Sequence, residues 1–305
     1  MGYSAERHEA LFDKDVAVYQ EAERGSRILE WIRQCGHDGI WLYSTRRSVA
    51  GDYIVYKSFP VWISRKEAER AKRATVSTEA QEKLNIERAR EKVDGLTCAN
   101  FTEDDLFVHY TYGKVVPLTA EELRRDIQAC IRRLRNHRKK NGMPDLKYIY
   151  TMEYLGKTGQ RVRPHIHMVM SGMDIRTVKK IWGNGHVTFS PLEPDENGYS
   201  GLAKYITKPK GRPEGEQKYC CSRNLKKPKV TYSDRRLTKR DVLRLIGEED
   251  RIREAIQRRE KNEWIVNSIE VKRSDWVPGA YVTVRLRRVA PRGSPPGKKK
   301  KDGKT

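Results

Sequence analysis

The run Arg163-Pro164-His165-Ile166-His167-Met168-Val169-Met170 places two histidines one residue apart. Apolar and polar positions alternate through it and Val169 favours the pleat, so the spacing predicts a β-strand. Side chains alternate faces along a strand, so both imidazoles share one side while Ile166 points into the core. Two neutral imidazoles on one face are a bidentate grip for a divalent metal. Further along, Tyr205-Ile206-Thr207-Lys208 sets a tyrosine and a lysine three apart, on one face of a helix. A phenol of pKa ~10 is a weak nucleophile at neutral pH. A neighbouring ammonium group stabilises either the phenolate or the charge on an attacked phosphate. The chemistry suggested is metal-assisted attack by a tyrosine on DNA.

A third ligand is the test of the histidine pair. Glu153 lies near the end of the preceding predicted strand, residues 146–154, and Gly156 to Gln160 is a short turn. If the two strands pair as a hairpin, Glu153 falls opposite the histidine end, completing a two-histidine, one-carboxylate site with open positions. The plainer alternative for Glu153 is a strand-end charge in solvent. Pro209 follows Lys208 and disfavours helical geometry there, so the tyrosine helix should end at that point.

The elements that must carry these residues are legible from about 101 to 210. Residues 105–112 read as a strand. Thr119 and Glu122 form a capping box, and Leu123, Ile127, Ile131 and Leu134 mark one apolar helical face that Asn141-Gly142 closes. After the two strands already named come a short helix over 174–182 capped by Asp174, a strand over 186–189 and a helix over 197–208. The order β-α-β-β-α-β plus a helix predicts an α+β fold. Its core is ferredoxin-like, a split βαβ arrangement shared with RRM domains, with an antiparallel sheet and helices on one face.

Four segments are expected: an aromatic and basic N-terminal appendage over 1–95, the core over 96–212, a helical and strand extension over 213–290, and a disordered basic tail over 291–305. Within the first, Trp41, Tyr43, Tyr53, Tyr56, Phe59 and Trp62 alternate with basic residues. They read equally as stacking platforms for single-stranded nucleic acid or as the core of a small hairpin. Residues 238–261 read as one charged helix and 281–286 as a strand.

The chain has 305 residues with formal net charge +22 and a sequence pI near 9.8. Such an excess calls for a polyanionic partner. No apolar run approaches the ~18 residues of a membrane span, and the N-terminus lacks the apolar stretch of a signal peptide, so nucleic acid is a better partner than lipid. Five cysteines at irregular spacing, with no C-x-x-C pair, support neither a disulfide framework nor a zinc ribbon and fit a reducing cytoplasm. Gly156-Lys157-Thr158 imitates the end of a phosphate-binding loop, but the earlier glycine it needs is Thr151. His186 and His109 on their strands are either additional ligands or, the favoured reading, surface or packed strand histidines, and Trp182 reads as core.

Taken in chain order, these motifs resemble the HUH endonucleases, specifically the rolling-circle replication initiators of single-stranded DNA phages and plasmids. Leu106-Phe-Val-His-Tyr-Thr-Tyr112 looks like the family's first motif, residues 164–167 its second and 205–208 its third; Ser222-Arg223-Asn224-Leu225 is similar to phage-type members. The resemblance spans about residues 70–230. It implies that Glu153, His165 and His167 hold Mg²⁺ or Mn²⁺, and that Tyr205 attacks the scissile phosphate. The products would be a 5′-phosphotyrosine link and a free 3′-OH, and later reversal would rejoin strands. Lys208 would orient Tyr205, and Arg161, Arg163, Lys204 and Tyr112 would contact DNA. Some phage members carry a second tyrosine one helical turn earlier. Here that position is Gly201, so one catalytic tyrosine is expected, with Tyr199 as the candidate for a second.

The implied partners are a single-stranded DNA origin and a host helicase and polymerase, with no membrane, in the cytoplasm of a bacterial host. Two alternatives stand beside this reading. A plasmid-mobilisation relaxase would often carry its tyrosine ahead of the histidines. A non-catalytic RRM-like RNA-binding protein would use Phe107, Tyr110 and Tyr112 as stacking rings.

Overall fold

The computed structural model describes residues 40–62, 78–113, 119–156, 158–208, 217–245, 248–273 and 280–289. The fold is α+β, with two antiparallel sheets and six helices among those residues. The chain divides into two compact units, Val76–Pro228 and a second made of Met1–Thr75 with Lys229–Thr305.

The Val76–Pro228 unit holds the histidine pair. Its elements are α1 (Thr78–Asn100), β3 (Leu106–Tyr112), α2 (Ala120–Lys140), β4 (Tyr148–Leu155), β5 (Arg161–Met170), α3 (Ile175–Trp182), β6 (Gly185–Pro191), α4 (Ser200–Ile206) and β7 (Cys220–Cys221). The sheet order β6-β3-β5-β4-β7 is the expected ferredoxin-like arrangement with one added edge strand. α2 begins as the sequence predicts: Thr119 accepts from the Glu122 amide and the Glu122 side chain reaches back to the Thr119 amide. Its apolar stripe, Leu123, Ile127, Ile131 and Leu134, is buried against the sheet face that carries Val108, Tyr110, Tyr112, Ile166 and Met168. Asp174 caps α3 as expected, and Trp182 is 1 % exposed, a core ring between Tyr110 and Tyr112.

Two backbone features shape this sheet. The β4–β5 register shifts between Glu153 and Leu155, beside Pro164 of β5. A proline has no N–H for the ladder, so a bulge is the natural place for it inside a sheet, and bulges re-aim the side chains next to them. At Gly185, which pairs with Tyr112, an added Cβ would lie 2.3 Å from the Gly113 nitrogen and 2.4 Å from the Thr111 oxygen, so no side chain fits.

The sequence reading placed 220–225 in a separate extension. Instead, Cys220 and Cys221 pair with Tyr150 and Ile149 of β4, and the Tyr148 amide donates to the buried Ser222 hydroxyl. All four cysteines among the described residues are free thiols.

The other unit is a five-stranded sheet of order β8-β1-β2-β10-β9. Its strands are β1 (Ile40–Ala50), β2 (Tyr53–Trp62), β8 (Lys229–Ser233), β9 (Trp264–Arg273) and β10 (Ala280–Arg288), with helices α5 (Lys239–Arg244) and α6 (Glu249–Arg259). The segments expected as independent N- and C-terminal extensions thus share one sheet, through the pairing of β2 with β10. Tyr43, Tyr56 and Phe59 are fully buried, so these three rings are core rather than platforms. The helix expected over 238–261 is two helices. Glu260 sits at the centre of a buried ion network: Arg47 donates to both its oxygens, and Arg236 and the Tyr56 hydroxyl donate to Oε1. The tail expected to be disordered from 291, Trp41 and Trp62 as side chains, Lys157 and Pro209 lie outside the described residues.

Candidate active site

Register fixes which side chains meet. β3 pairs with β5 so that His109 faces His167 and Thr111 faces His165; β4 pairs with β5 so that Thr151 faces His167 and Glu153 faces His165. Partners across an antiparallel ladder share a face, so His109, His165, His167 and Glu153 all stand on the face opposite α2 and α3. The hairpin inference for Glu153 is therefore met in the register, and the carboxylate is not a solvent-facing strand end.

α4 carries Tyr205 to this face. The Tyr205 hydroxyl is 3.1 Å from His167 Nε2, and its ring stands edge-on to the His167 ring with centroids 4.8 Å apart. Lys208, one turn on, places Nζ 2.7 Å from Glu153 Oε1 and 4.6 Å from the Tyr205 ring centroid. Tyr-x-x-Lys thus bridges the helix end to the carboxylate. His167 Nε2 is 3.5 Å from the same Glu153 oxygen. Tyr205 is 37 % exposed whereas His167 is 5 % exposed, so the phenol is the accessible member.

Burial raises the Glu153 carboxyl, but the hydrogen bonds from His167 and Lys208 outweigh it and hold the group below the ordinary carboxylate range, as an anion. Burial first, then the neighbouring His167 ring, lowers His165 and His109, keeping both imidazoles neutral. Burial, then the nearby Glu153 anion, raises Tyr205, so the resting phenol keeps its proton.

His109, which the sequence favours as a packed strand histidine over an additional ligand, stands within the cluster. Its Nδ1 is 3.2 Å from His167 Nδ1, its ring is edge-on to Phe107 at 4.5 Å, and its Nε2 is buried without a hydrogen-bond partner. The available signal was its odd-numbered place on β3, but only the β3–β5 pairing turns that into contact with His167. His165 Nδ1 is 3.3 Å from Thr111 Oγ1.

The donor set, one carboxylate and two imidazoles on a single face with a further buried imidazole nitrogen left unsatisfied, suits a divalent ion in chemistry. Among the described residues no three His, Cys, Asp or Glu side chains already converge to hold one. The Glu153 oxygen is engaged instead by the Lys208 ammonium.

The other expected contacts divide. Arg161 and Arg163 are exposed near the histidine end of β5, and Arg163 Nη1 donates to the Tyr112 and Gly113 carbonyls, 2.8 Å each. Lys204 is exposed on α4. Tyr112 does not fit the DNA-contacting role: it is 1 % exposed on the helix-covered face, and its hydroxyl donates to Asp126 at 2.9 Å. One residue of strand period decides this, since Thr111 faces the site and Tyr112 cannot. The same parity removes Tyr110, fully buried under the helices, from the RNA-stacking alternative. Tyr199 is the N-cap of α4, 5 % exposed, with its amide donating to Asp94.

Fold and cluster together define a ferredoxin-like unit with a tyrosine, histidines and a carboxylate on one sheet face. A model of the replication-associated protein ORF2/G2P family matches residues 105–210, from β3 to just past Lys208. The match supports a role in initiating DNA replication for this stretch. No curated protein and no solved structure matches the chain. No helix among the described residues is long and apolar enough to cross a membrane.

Proposed function

We propose that the chain initiates rolling-circle DNA replication by nicking a single-stranded origin with Tyr205 as nucleophile. The observation that carries this reading is the contact of the Tyr205 hydroxyl with His167 Nε2, 3.1 Å apart, beneath a lysine that also pairs with Glu153. An RNA-stacking surface has no use for that arrangement, and the family match bears on replication.

The residues divide the work. Tyr205 Oη bonds to phosphorus as the bond to the 3′ oxygen breaks. The 5′ side stays on the enzyme as a phosphotyrosine, and the 3′ oxygen leaves as a hydroxyl after taking up a proton. His167 Nε2, 3.1 Å from the phenol hydroxyl, orients Tyr205, and the phenol proton passes to water as the bond to phosphorus forms. Lys208, close to both the ring and the carboxylate, offsets negative charge as the phenolate forms. Arg161, Arg163 and Lys204 hold the backbone of the single strand. Glu153, His165 and His167 would hold Mg²⁺ or Mn²⁺, which when bound would supply Lewis-acid polarisation of the scissile phosphate. Rejoining reverses the first step, with a 3′-OH attacking the phosphotyrosine. Tyr199, buried at a helix cap, has no part, so a single tyrosine serves.

Incubation with a single-stranded DNA pool and Mn²⁺ tests this. A denaturant-resistant protein–DNA adduct is expected, absent in Tyr205→Phe and in chelator. Strand binding without any adduct would sink the nickase, and an adduct that survives in Tyr205→Phe would move the nucleophile elsewhere. A host helicase and polymerase complete the scheme, since no nucleotide-binding loop accompanies the site in the sequence.

A further inference from the structure

The side of the Val76–Pro228 unit away from Tyr205 carries a second concentration of chemistry. In α2, residues 132–140 hold Arg132, Arg133, Arg135, Arg138, Lys139 and Lys140 and no carboxylate. Arg138 is 5 % exposed and spoken for, donating to the carbonyls of Pro144 and Gly172. The other five are exposed, and among the described residues none of them forms an ion pair with a carboxylate. Clustering like charges along one helix face costs stability through self-repulsion, which a bound polyanion relieves.

Beside this stretch, between the C-terminal halves of α2 and α3, lies an open groove of about 510 Å³ lined in part by Arg133, His137, Thr177, Lys180 and Asn184. It offers two cations, a hydroxyl and an amide. Arg133 is anchored across it by donating to the Trp182 carbonyl at 3.4 Å. These groups suit phosphate oxygens.

The groove presents no exposed Trp, Tyr or Phe ring on which to stack a base. The one large aromatic lining the groove, Trp182, is 1 % exposed and packed between Tyr110 and Tyr112. Single strands are held by stacking as well as charge. A groove of cations without an exposed Trp, Tyr or Phe ring matches a nucleic acid whose bases are already stacked.

We propose that the α2–α3 face is a second nucleic-acid site, which binds the phosphate backbone of duplex DNA in the groove and along Arg132 to Lys140. It is separate from the tyrosine site, on the other side of the same sheet, and does not depend on nicking.

The test measures binding of the full chain to a random duplex of about 20 bp and to a short single-stranded oligonucleotide over a series of salt concentrations. Two charge-reversed variants are compared, Arg133→Glu/Lys180→Glu in the groove and Arg132→Glu/Lys140→Glu on the exposed helix, the latter pair making no side-chain hydrogen bond among the described residues. Each should lose at least about tenfold in duplex affinity near 0.1 M salt and reduce the salt slope by about two, with single-strand binding unchanged. Duplex affinity within about twofold of the unmodified chain in both variants overturns the proposal. So does an equal loss on the single strand, which would assign the effect to net charge alone.

Discussion

Lys208 Nζ and Glu153 Oε1 are 2.7 Å apart, joining the end of a helix to a strand that precedes it by some fifty residues in the chain. The pair lets one ammonium group act on two partners, the carboxylate and the Tyr205 ring. If Lys208 offsets charge on the reacting phenol, Lys208→Ala should slow adduct formation by about 10²-fold while strand binding changes little. Glu153→Gln keeps the shape but removes the charge, and should weaken Mn²⁺ binding measured by calorimetry as well as abolish the adduct. Adduct rates unaffected in both variants would place the chemistry elsewhere.

His109 supports His167 from the neighbouring strand. Replacing it by phenylalanine preserves an aromatic beside Phe107 but removes the Nδ1 partner of His167. The expected result is about a tenfold fall in adduct rate with an unchanged melting temperature, read by gel and by thermal denaturation. A variant with unmodified rate would reduce His109 to packing.

Tyr112 gives the converse case. Tyr112→Phe removes its hydrogen bond to Asp126 and should cost about 1 kcal/mol of stability in denaturant unfolding. DNA affinity should be unaltered, because the ring is on the helix-covered face.

The Glu260 network sets a pH window. Tyr56 is pushed up to about 12, first by burial and then by its bond to Glu260. A raised folded pKa keeps the proton in the native state, so this contribution is complete below pH ~10 and is lost as pH rises through about 12. Glu260 behaves in the opposite sense: burial raises it, but bonds from Arg47 and Tyr56 win and lower it, so its contribution is present above the unfolded carboxylate pKa and lost as pH falls. From the Tyr56 rise from 10.0 to about 12, the alkaline loss is about 3 kcal/mol. The stability gap between the unmodified chain and Tyr56→Phe should therefore close between pH ~10 and ~12; a constant gap across that range contradicts the assignment.

The parts legible in the sequence were those written in local periods. Period two put His165 and His167 on one side, the short turn brought Glu153 opposite, and the 3.6 period of Leu123, Ile127, Ile131 and Leu134 found α2 and its buried face. What escaped depends on pairing between distant segments. His109 becomes part of the site only because β3 lies beside β5, and Cys220-Cys221 becomes a strand only because β4 has a free edge. Trp264–Arg273 becomes β9 through its pairing with β10. The motif position of Tyr112 suggests a DNA contact, whereas the parity of the strand sends it inward.

The β2–β10 ladder, with β1 and β8 beside it, means that one sheet is written in two stretches of chain, before and after the Val76–Pro228 unit. Shortening the chain from residue 229 onward therefore removes three strands of five rather than an accessory tail. Deletion series on such a protein will not trace modules in order along the polypeptide. Cutting either end leaves the same sheet unclosed, whereas an internal excision that keeps both ends is the deletion this topology tolerates.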